Sequence, residues 1–497
     1  MITPRFSIVI PTRERSHTLE HTLTTCLAQE GDFEVVVSDN WSGPRTRELV
    51  EGRGDPRVRY VRTPASLAMT DSLEFAVSHA RGEYVIIQGD DDGLLRHALV
   101  TIEKIIDETR TSVLRWESAV YNWPDVSNAH FRADTILLPL AQTRAGHDLQ
   151  ACDSRRATRA VAAGSAHYSE LPVIYNAVIR RDLFDRLRAR TGRVFKTRTP
   201  DVYVAFAVAA LVDTFHSLRA PLGVCGRSGA STGVARHFSK KGSPIDNEFR
   251  RLNTAAGLLL HPWVPDLPPI PSAVADAFLW AKADLFPDDA TVTLDRAQLI
   301  RDCLRDTEVD SAEEWQEVQD SCRAALADVP DLLAWFEREY GGLKHTAIPR
   351  LVRMHHWRRY GSGHLQLDTA GFGVRNVDDA ADLCERLLGY KRDGLPFNLT
   401  TRGALTELQE KETELQYLTA ECGVLQQRLL AQDAVFNQTV RDQDAQLQLQ
   451  LRALADQQNH IANLNRWSLL GLLGLPRRIA KRVLRRRVVS SEPKGSL

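Results

Sequence analysis

An α/β fold, with a parallel sheet followed by an α-helical region and a C-terminal coiled coil, is what this sequence predicts, on three observations. Short, continuously apolar runs alternate with helix-period segments up to about residue 105. From Asp246 to about Lys391 the periodicity is mostly helical, and past Thr401 apolar residues recur every seven positions. Strands that lack polar alternation are buried on both faces, which calls for helices on either side of the sheet.

The elements follow in order. "FSIVI" (6–10) is a first strand closed by Pro11, and Ser16 is the expected N-cap of a helix carrying Leu19, Leu23 and Leu27 on one face. "FEVVVSD" (33–39) and "VRYVR" (58–62) are the second and third strands. "MTDSLEFAVSHA" (69–80) is a helix stopped at Gly82, "EYVIIQG" (83–89) a fourth strand, and "LVTIEKIIDE" part of the next helix. Residues 106–240 are mixed, with "GRSGASTG" (226–233) expected as a flexible loop. Within the helical region 241–395, "HPWVPDLPPIPS" and "YGSGHLQLDTAGFG" are expected loops.

Over 402–465, Leu408, Leu415, Cys422, Leu429 and Phe436 are seven apart, with Leu418 and Leu425 on the alternate seam, and the register shifts near Val440. Such heptads predict a coiled coil and self-association. A single amphipathic helix lying on the protein's own body is the alternative.

Bulk composition narrows the function. The 497 residues are 43% hydrophobic and 26% charged, ordinary for a globular protein, with a net charge of −1. That balance hides a basic end: from Arg466 onward nine Lys or Arg face only Glu492, a net of +8 against −9 for everything before. Seven scattered cysteines without a C-x-x-C argue against a disulfide framework or zinc site and for a reducing cytosol. No signal peptide is expected at the N-terminus, and "WSLLGLLGLP" is half the ~20 residues a membrane span needs. The segment 466–489 interleaves Leu469, Leu472, Leu473, Ile479, Val483 and Leu484 with seven Arg or Lys after Pro476. It predicts an amphipathic segment lying on an anionic membrane surface. RNA binding is its rival, and nucleic acid is the less expected partner.

Three adjacent carboxylates, Asp90, Asp91 and Asp92, close the fourth strand. Ligands of parallel sheets bind at the carboxyl ends of strands, where Asp39 also stands. If the segment stays extended, Asp90 and Asp92 share one side and Asp91 takes the other. Paired carboxylates suit a hard divalent cation that also takes phosphate oxygens. The competing account is a solvated acidic turn.

"FSIVIPTRERSHTLEHTLTTCLAQ", "FEVVVSDNWSGPRTRELV" and "ARGEYVIIQGDDDGLL" together resemble the nucleotide-sugar half of the family 2 glycosyltransferases, in order and spacing across about residues 1–105. The resemblance continues less sharply through "YNAVIRRDLF", "TPDVYVAFAVA" and "PLGVCGRSGASTG" to about 240. It implies a GT-A domain over 1–240, with an acceptor half from 106, and an inverting transfer of a sugar from a nucleoside-diphosphate donor. Pro11, Thr12 and Arg13 would border the nucleotide. Asp39 would accept from the base ring N–H, favouring a UDP- or dTDP-sugar, unless it serves only as an Asx turn or helix N-cap. Asp90, Asp91 and Asp92 would supply the ligands for Mg²⁺ or Mn²⁺. Asp201, at a helix start in "RTPDVYVAFAVAALV", would be the general base, or only a first-turn residue favourable to the helix dipole. His237, with Arg236 or Lys240 and Lys241, would meet the departing phosphates, or belong to a solvated basic loop.

The expected protein is a peripheral glycosyltransferase at the cytoplasmic face of the plasma membrane, building surface polysaccharide on a saccharide or lipid-linked acceptor. The alternative is a non-catalytic nucleotide-binding scaffold that organises a glycan-assembly complex through its coiled coil.

Overall fold

The computed structural model describes residues 3–127, 131–139, 149–238, 243–345 and 364–392. The expected coiled coil (402–465), the basic segment (466–489) and Lys240 and Lys241 lie outside them. Described residues up to Gly389 belong to one compact unit.

Apart from a helix at 44–52, the first strands and helices are those the sequence predicts. β1 (Phe6–Thr12), α1 (Ser16–Leu27), β2 (Phe33–Asp39), α2 (Pro44–Gly52), β3 (Val58–Arg62), α3 (Met69–Ser78) and β4 (Tyr84–Ile87) follow in turn. β1 pairs in parallel with both β2 and β4, and β2 with β3, giving a parallel block in the order β3-β2-β1-β4. Next come β5 (Gly93–Leu94), α4 (Ala98–Thr109), β6 (Val113–Asn122), β7 (Thr135–Pro139), β8 (Leu149–Asp153) and α5 (Ser154–Ala162). β9 (Ala177–Arg180) runs antiparallel beside β4 and β6, so the sheet is mixed rather than parallel throughout. After α6 (Arg181–Thr191) and α7 (Pro200–Ala209), the long β10 (Thr214–Arg227) pairs with β5, β6 and β8.

Apolar packing covers both faces. Leu19, Leu23 and Cys26 of α1 and Leu99, Ile102 and Ile106 of α4 close one side over Ile8, Ile10, Val35 and Val37. On the other side Val9, Val36, Val85 and Ile87 meet α3, α6 and α7. Ser16 is not the N-cap of α1: it is already helical, and Arg15 occupies the cap with no side-chain cap bond. That placement leaves the Arg15 guanidinium available elsewhere.

The boundary expected near 240 falls inside the compact unit. α8 (Thr232–Phe238), α9 (Pro244–Ala255), α10 (Ile270–Leu285), α11 (Arg296–Arg305), α12 (Ala312–Leu326) and α13 (Pro330–Phe336) follow β10, and α10 to α13 share the core of the sheet. The cause is α7, in which every residue from Val202 to Ala209 is buried. A helix apolar all round needs cover on every side. The sheet provides one side and α10 another, with the Phe206 and Phe278 rings 5.4 Å apart and the Tyr203 hydroxyl 2.7 Å from Asp284. Each such large side chain, once buried, contributes about 1.5–3 kcal/mol.

A second correction concerns "HLQLD", expected within a loop. It forms β11 (His364–Asp368), antiparallel to β7, and α14 (Val377–Arg392) then covers that end of the sheet through Val377, Ala380, Ala381 and Cys384. Among the described residues no helix is long and apolar enough to cross a membrane.

Candidate active site

Parallel pairing brings the predicted residues to one edge. Thr12 is in register with Asp39, and Asp39 with Arg62, so the carboxyl ends of β1, β2 and β3 align. Pro11 lies one position back, opposite Ser38. Asp39 is fully buried, and both of its oxygens already accept: Oδ1 from the Ser42 amide at 2.8 Å and Oδ2 from the Tyr60 hydroxyl at 2.5 Å. The first bond reaches three residues on, one further than an Asx turn, and the cap of α2 is Gly43, so neither alternative weighed above describes Asp39. Each oxygen keeps a lone pair for a further donor. Burial, and then Asp39, push the Tyr60 phenol up to about 12, so it stays protonated and donating.

Asp90, Asp91 and Asp92 do not alternate as an extended segment would. The Asp92 amide turns back to the Gly89 carbonyl at 3.2 Å, and the three side chains take separate partners. Asp90 accepts from Thr12 Oγ1 at 2.7 Å and from Arg15 Nη1 at 2.9 Å. Asp91 Oδ2 accepts from the Ser228 hydroxyl at 2.7 Å and its amide at 3.3 Å. Asp92 accepts from the Gly226 amide at 2.7 Å and the Gly89 amide at 3.2 Å.

All three carboxylates are at most 7% exposed, so their repulsion is not relieved by water. Burial pushes Asp91 up, opposed by Arg15 and reinforced by Asp90. Asp92 is pushed well up, first by burial and then by the charge of Asp91. Burial alone would weaken the Arg15 cation, yet Asp90 and Asp91 raise its proton affinity above the ordinary value. The internal counter-ion of the triplet is therefore Arg15.

Arg15 also joins two loops. Its Nη2 donates to the Ala230 carbonyl at 2.5 Å and to Thr232 Oγ1 at 2.9 Å. The segment expected as a flexible loop is thus tied down by Arg15, Asp91 and Asp92, with Ser228 fully buried. Gly226 permits this approach: a Cβ there would overlap the Asp91 carbonyl oxygen.

Asp201 sits in the first turn of α7, behind Pro200. Burial raises its proton affinity, partly offset by the Val202 amide and its own. The charge of Asp201 reaches Tyr175, whose phenol also feels Asp92, Asp90 and Arg15. The phenol of Tyr175 thus feels the charge of Asp201 and of the acidic turn alike. Burial and these charges hold its phenol protonated, well above its ordinary value.

Two predicted residues have other partners. Arg13 pairs with Glu248 of α9 at 2.6 Å. His237 of α8 has its Nδ1 2.7 Å from the Pro268 carbonyl oxygen, and Arg236 pairs with Asp246 and Asp266. Arg15, Ser228 and Tyr175 are the site residues that sequence reasoning missed. All three lie in quoted stretches, Arg15 three positions after Thr12, Tyr175 opening "YNAVIRRDLF" and Ser228 within "GRSGASTG", but nothing local marked them as partners of the acidic turn.

The donor set fits a hard divalent cation in part. Asp90 and Asp92 each accept one donor on each oxygen and keep one lone pair per oxygen, whereas both bonds to Asp91 fall on Oδ2. Among the described residues no group of three or more His, Cys, Asp or Glu encloses a metal position. Mg²⁺ commonly takes only one or two carboxylates, completing its shell with phosphate oxygens and water.

Residues 7–150 match the family model described as Glycosyl transferase family 2. A GalNAc(5)-diNAcBac-PP-undecaprenol beta-1,3-glucosyltransferase of Campylobacter jejuni is 29% identical over 109 residues, 21% of this chain and 35% of that protein. The abequosyltransferase RfbV of Salmonella typhimurium is 31% identical over 107 residues, 20% of this chain and 32% of that protein. The matched stretch therefore spans about a third of each relative's length. Among solved structures, S. aureus TarS 1–349 in complex with UDP-GlcNAc aligns at 13% identity and a TM-score of 0.36, covering 79% of this chain and 93% of that one. The mannosyltransferase PcManGT from Pyrobaculum calidifontis, in complex with GDP-Man and Mn²⁺, aligns at 17% identity and a TM-score of 0.32, covering 67% and 88%.

Proposed function

We propose that this protein is an inverting glycosyltransferase that moves a sugar from a nucleoside-diphosphate donor to a saccharide or lipid-linked acceptor in surface-glycan synthesis. One observation carries the reading: the buried acidic turn at the end of β4 is joined to the end of β1, where Thr12 donates to Asp90 at 2.7 Å and stands in register with the buried Asp39. The family match over 7–150 and the relatives' names, one of which specifies a PP-undecaprenol acceptor, support it.

In this reading Asp39 accepts from the base ring N–H, which suits the uracil or thymine of a UDP- or dTDP-sugar. Asp90 and Asp91 would hold Mg²⁺ or Mn²⁺, which when bound neutralises the diphosphate as it leaves. Asp92 holds the turn in shape through Gly89 and Gly226. Arg15 keeps the acidic turn assembled and links it to Thr232 at the start of α8, while His237 and Arg236, in the last turn of that helix, would have to exchange their bonds to Pro268, Asp246 and Asp266 to meet the departing phosphates. Asp201 takes the proton of the acceptor hydroxyl as that oxygen attacks the anomeric carbon from the face opposite the leaving group. Its raised proton affinity makes it a stronger base than a solvated aspartate. Attachment to the inner face of the plasma membrane through 466–489, and pairing through 402–465, complete the proposal.

A donor screen tests it. UDP-, dTDP- and GDP-sugars are incubated with the full chain, with Mn²⁺ or with EDTA, and sugar release to water is measured. Metal-stimulated release from a uridine or thymidine donor is expected. Nucleotide binding without release or transfer from any donor would favour the scaffold reading.

A further inference from the structure

The backbone of the acidic turn is held from behind. The Asp91 carbonyl accepts from Trp123 Nε1 at 3.2 Å, and the Asp92 carbonyl accepts from Thr22 Oγ1 at 2.7 Å. Trp123 follows directly on β6 and is 5% exposed, with its own amide donating to the Arg227 carbonyl of β10 at 3.0 Å. An indole has a single donor and no acceptor, so this N–H is committed to the turn. The ring centre lies 5.9 Å from that of Tyr121 and 6.1 Å from that of His21 on α1.

The last described helix presses on the same place. Trp123 shares a buried cluster with Val377, Ala380, Ala381 and Cys384 of α14, and with Leu95 just beyond β5. Gly93, the residue after Asp92, runs so close to α14 that a Cβ there would lie 3.0 Å from Val377 Cγ2, and 3.3 Å from Thr25 Cγ2 of α1. The chain leaving the turn is therefore gripped between α1 and α14. Two polar contacts follow: Arg96 pairs with Asp382 at 2.8 Å, and His97 Nδ1 lies 2.8 Å from Glu385 Oε1. Contacts this exposed contribute little each, so the seat of α14 rests on its apolar face.

We infer that Trp123 and the start of α14 are positioning elements of the acidic turn, and that through them the C-terminal end of the described chain sets how tightly the turn holds a divalent cation. The inference rests on the glycosyltransferase reading above and adds to it what keeps the carboxylates in place. Three buried like charges push the turn open, and Arg15 balances them from one side only. A small divalent cation demands near-ideal geometry, so the oxygens must already stand in position when it arrives. The Trp123 and Thr22 bonds fix the peptide units that carry Asp91 and Asp92, and Val377 blocks the retreat of Gly93. Supporting residues of this kind change metal affinity by about tenfold to a hundredfold without touching the metal.

The test measures Mn²⁺ binding to the full chain in the presence of UDP, by calorimetry, in the wild type, Trp123→Phe and Val377→Ala. Trp123→Phe keeps an aromatic ring while removing the donor. It should weaken Mn²⁺ binding by about tenfold to a hundredfold, and Val377→Ala should weaken it in the same direction. UDP binding in EDTA should stay at the wild-type level in both variants. Excess Mn²⁺ should return sugar release to near the wild-type rate, which separates a displaced turn from a damaged fold. Wild-type Mn²⁺ affinity in Trp123→Phe would overturn the role of Trp123, and in Val377→Ala that of α14. An equal loss of UDP binding with and without metal would overturn both. A wild type that binds no Mn²⁺ beside UDP would overturn the inference together with the cation role of the turn, an outcome seen before any variant is made.

Discussion

Asp201→Asn is the substitution that separates chemistry from binding. The Asp201 carboxylate accepts from two first-turn amides of α7, its own and that of Val202, and an asparagine oxygen replaces one of these bonds. The fold should tolerate the change. Burial raises the folded pKa above the unfolded value, so this group's stabilising contribution is present below the unfolded pKa and lost as pH rises through the folded one. At pH 7 the charged form therefore costs stability, and neutral asparagine removes that cost. Losing a general base lowers turnover by about 10²- to 10⁴-fold, roughly 2.7–5.5 kcal/mol of transition-state stabilisation at 1.36 kcal/mol per decade. Donor affinity should stay within about threefold, because the residues assigned to the nucleotide are untouched. The assay pairs transfer rate with donor binding, and the wild-type rate should fall on acidification at a pH above that of an ordinary aspartate. Wild-type turnover in the variant would refute the assignment. The base would then be sought at Glu170 or Asp182, which pair with Arg115 and Arg180.

Three further outcomes are expected. Gly226→Ala places a Cβ against the Asp91 carbonyl and must shift β10 from the acidic turn, so a loss of at least about 2 kcal/mol in denaturant unfolding is expected; an unchanged midpoint would mean the loops are not in contact. Asp276, buried in α10 and accepting from the His261 amide at 2.8 Å, is pushed up to about 6 by burial, so the fold loses stability as pH rises through that value. A shift of about two units is worth at most ~3 kcal/mol, so Asp276→Asn should melt higher than wild type at pH 8 and about equally at pH 4; the same difference at both would contradict this. Truncation after Asn465 should abolish pelleting with anionic vesicles while leaving donor hydrolysis intact, and equal pelleting of both proteins would remove 466–489 as the anchor.

Local pattern was enough for the parallel block and for several candidate residues. Apolar runs of five to seven residues ended by Pro11, Asp39 and Gly89 can be little else than buried strands, and their carboxyl ends are where polar residues have work to do. The apolar run from Val202 likewise marked α7, with Asp201 at its start. Other features depended on residues far apart in the chain. The counter-ion of the acidic turn is Arg15, 75 positions from Asp90, and the clasp on Asp91 is Ser228, 137 positions away. Nothing near "DDD" distinguishes a turn that awaits a cation from one already holding an arginine, because that depends on which loops the strand order brings together. β11 was missed for a related reason. Its five residues carry a weak period, and β7, which pairs with it, is distant in sequence. The cover of α7 by α10 was hidden as well, since an all-apolar helix reveals that it is buried but not what buries it. Sequence by itself determined the strands, the turns between them and the chemical types gathered at their ends. Tertiary structure alone decided which charges meet, because pairing across long loops is settled by packing and register over the whole sheet, not by neighbours along the chain.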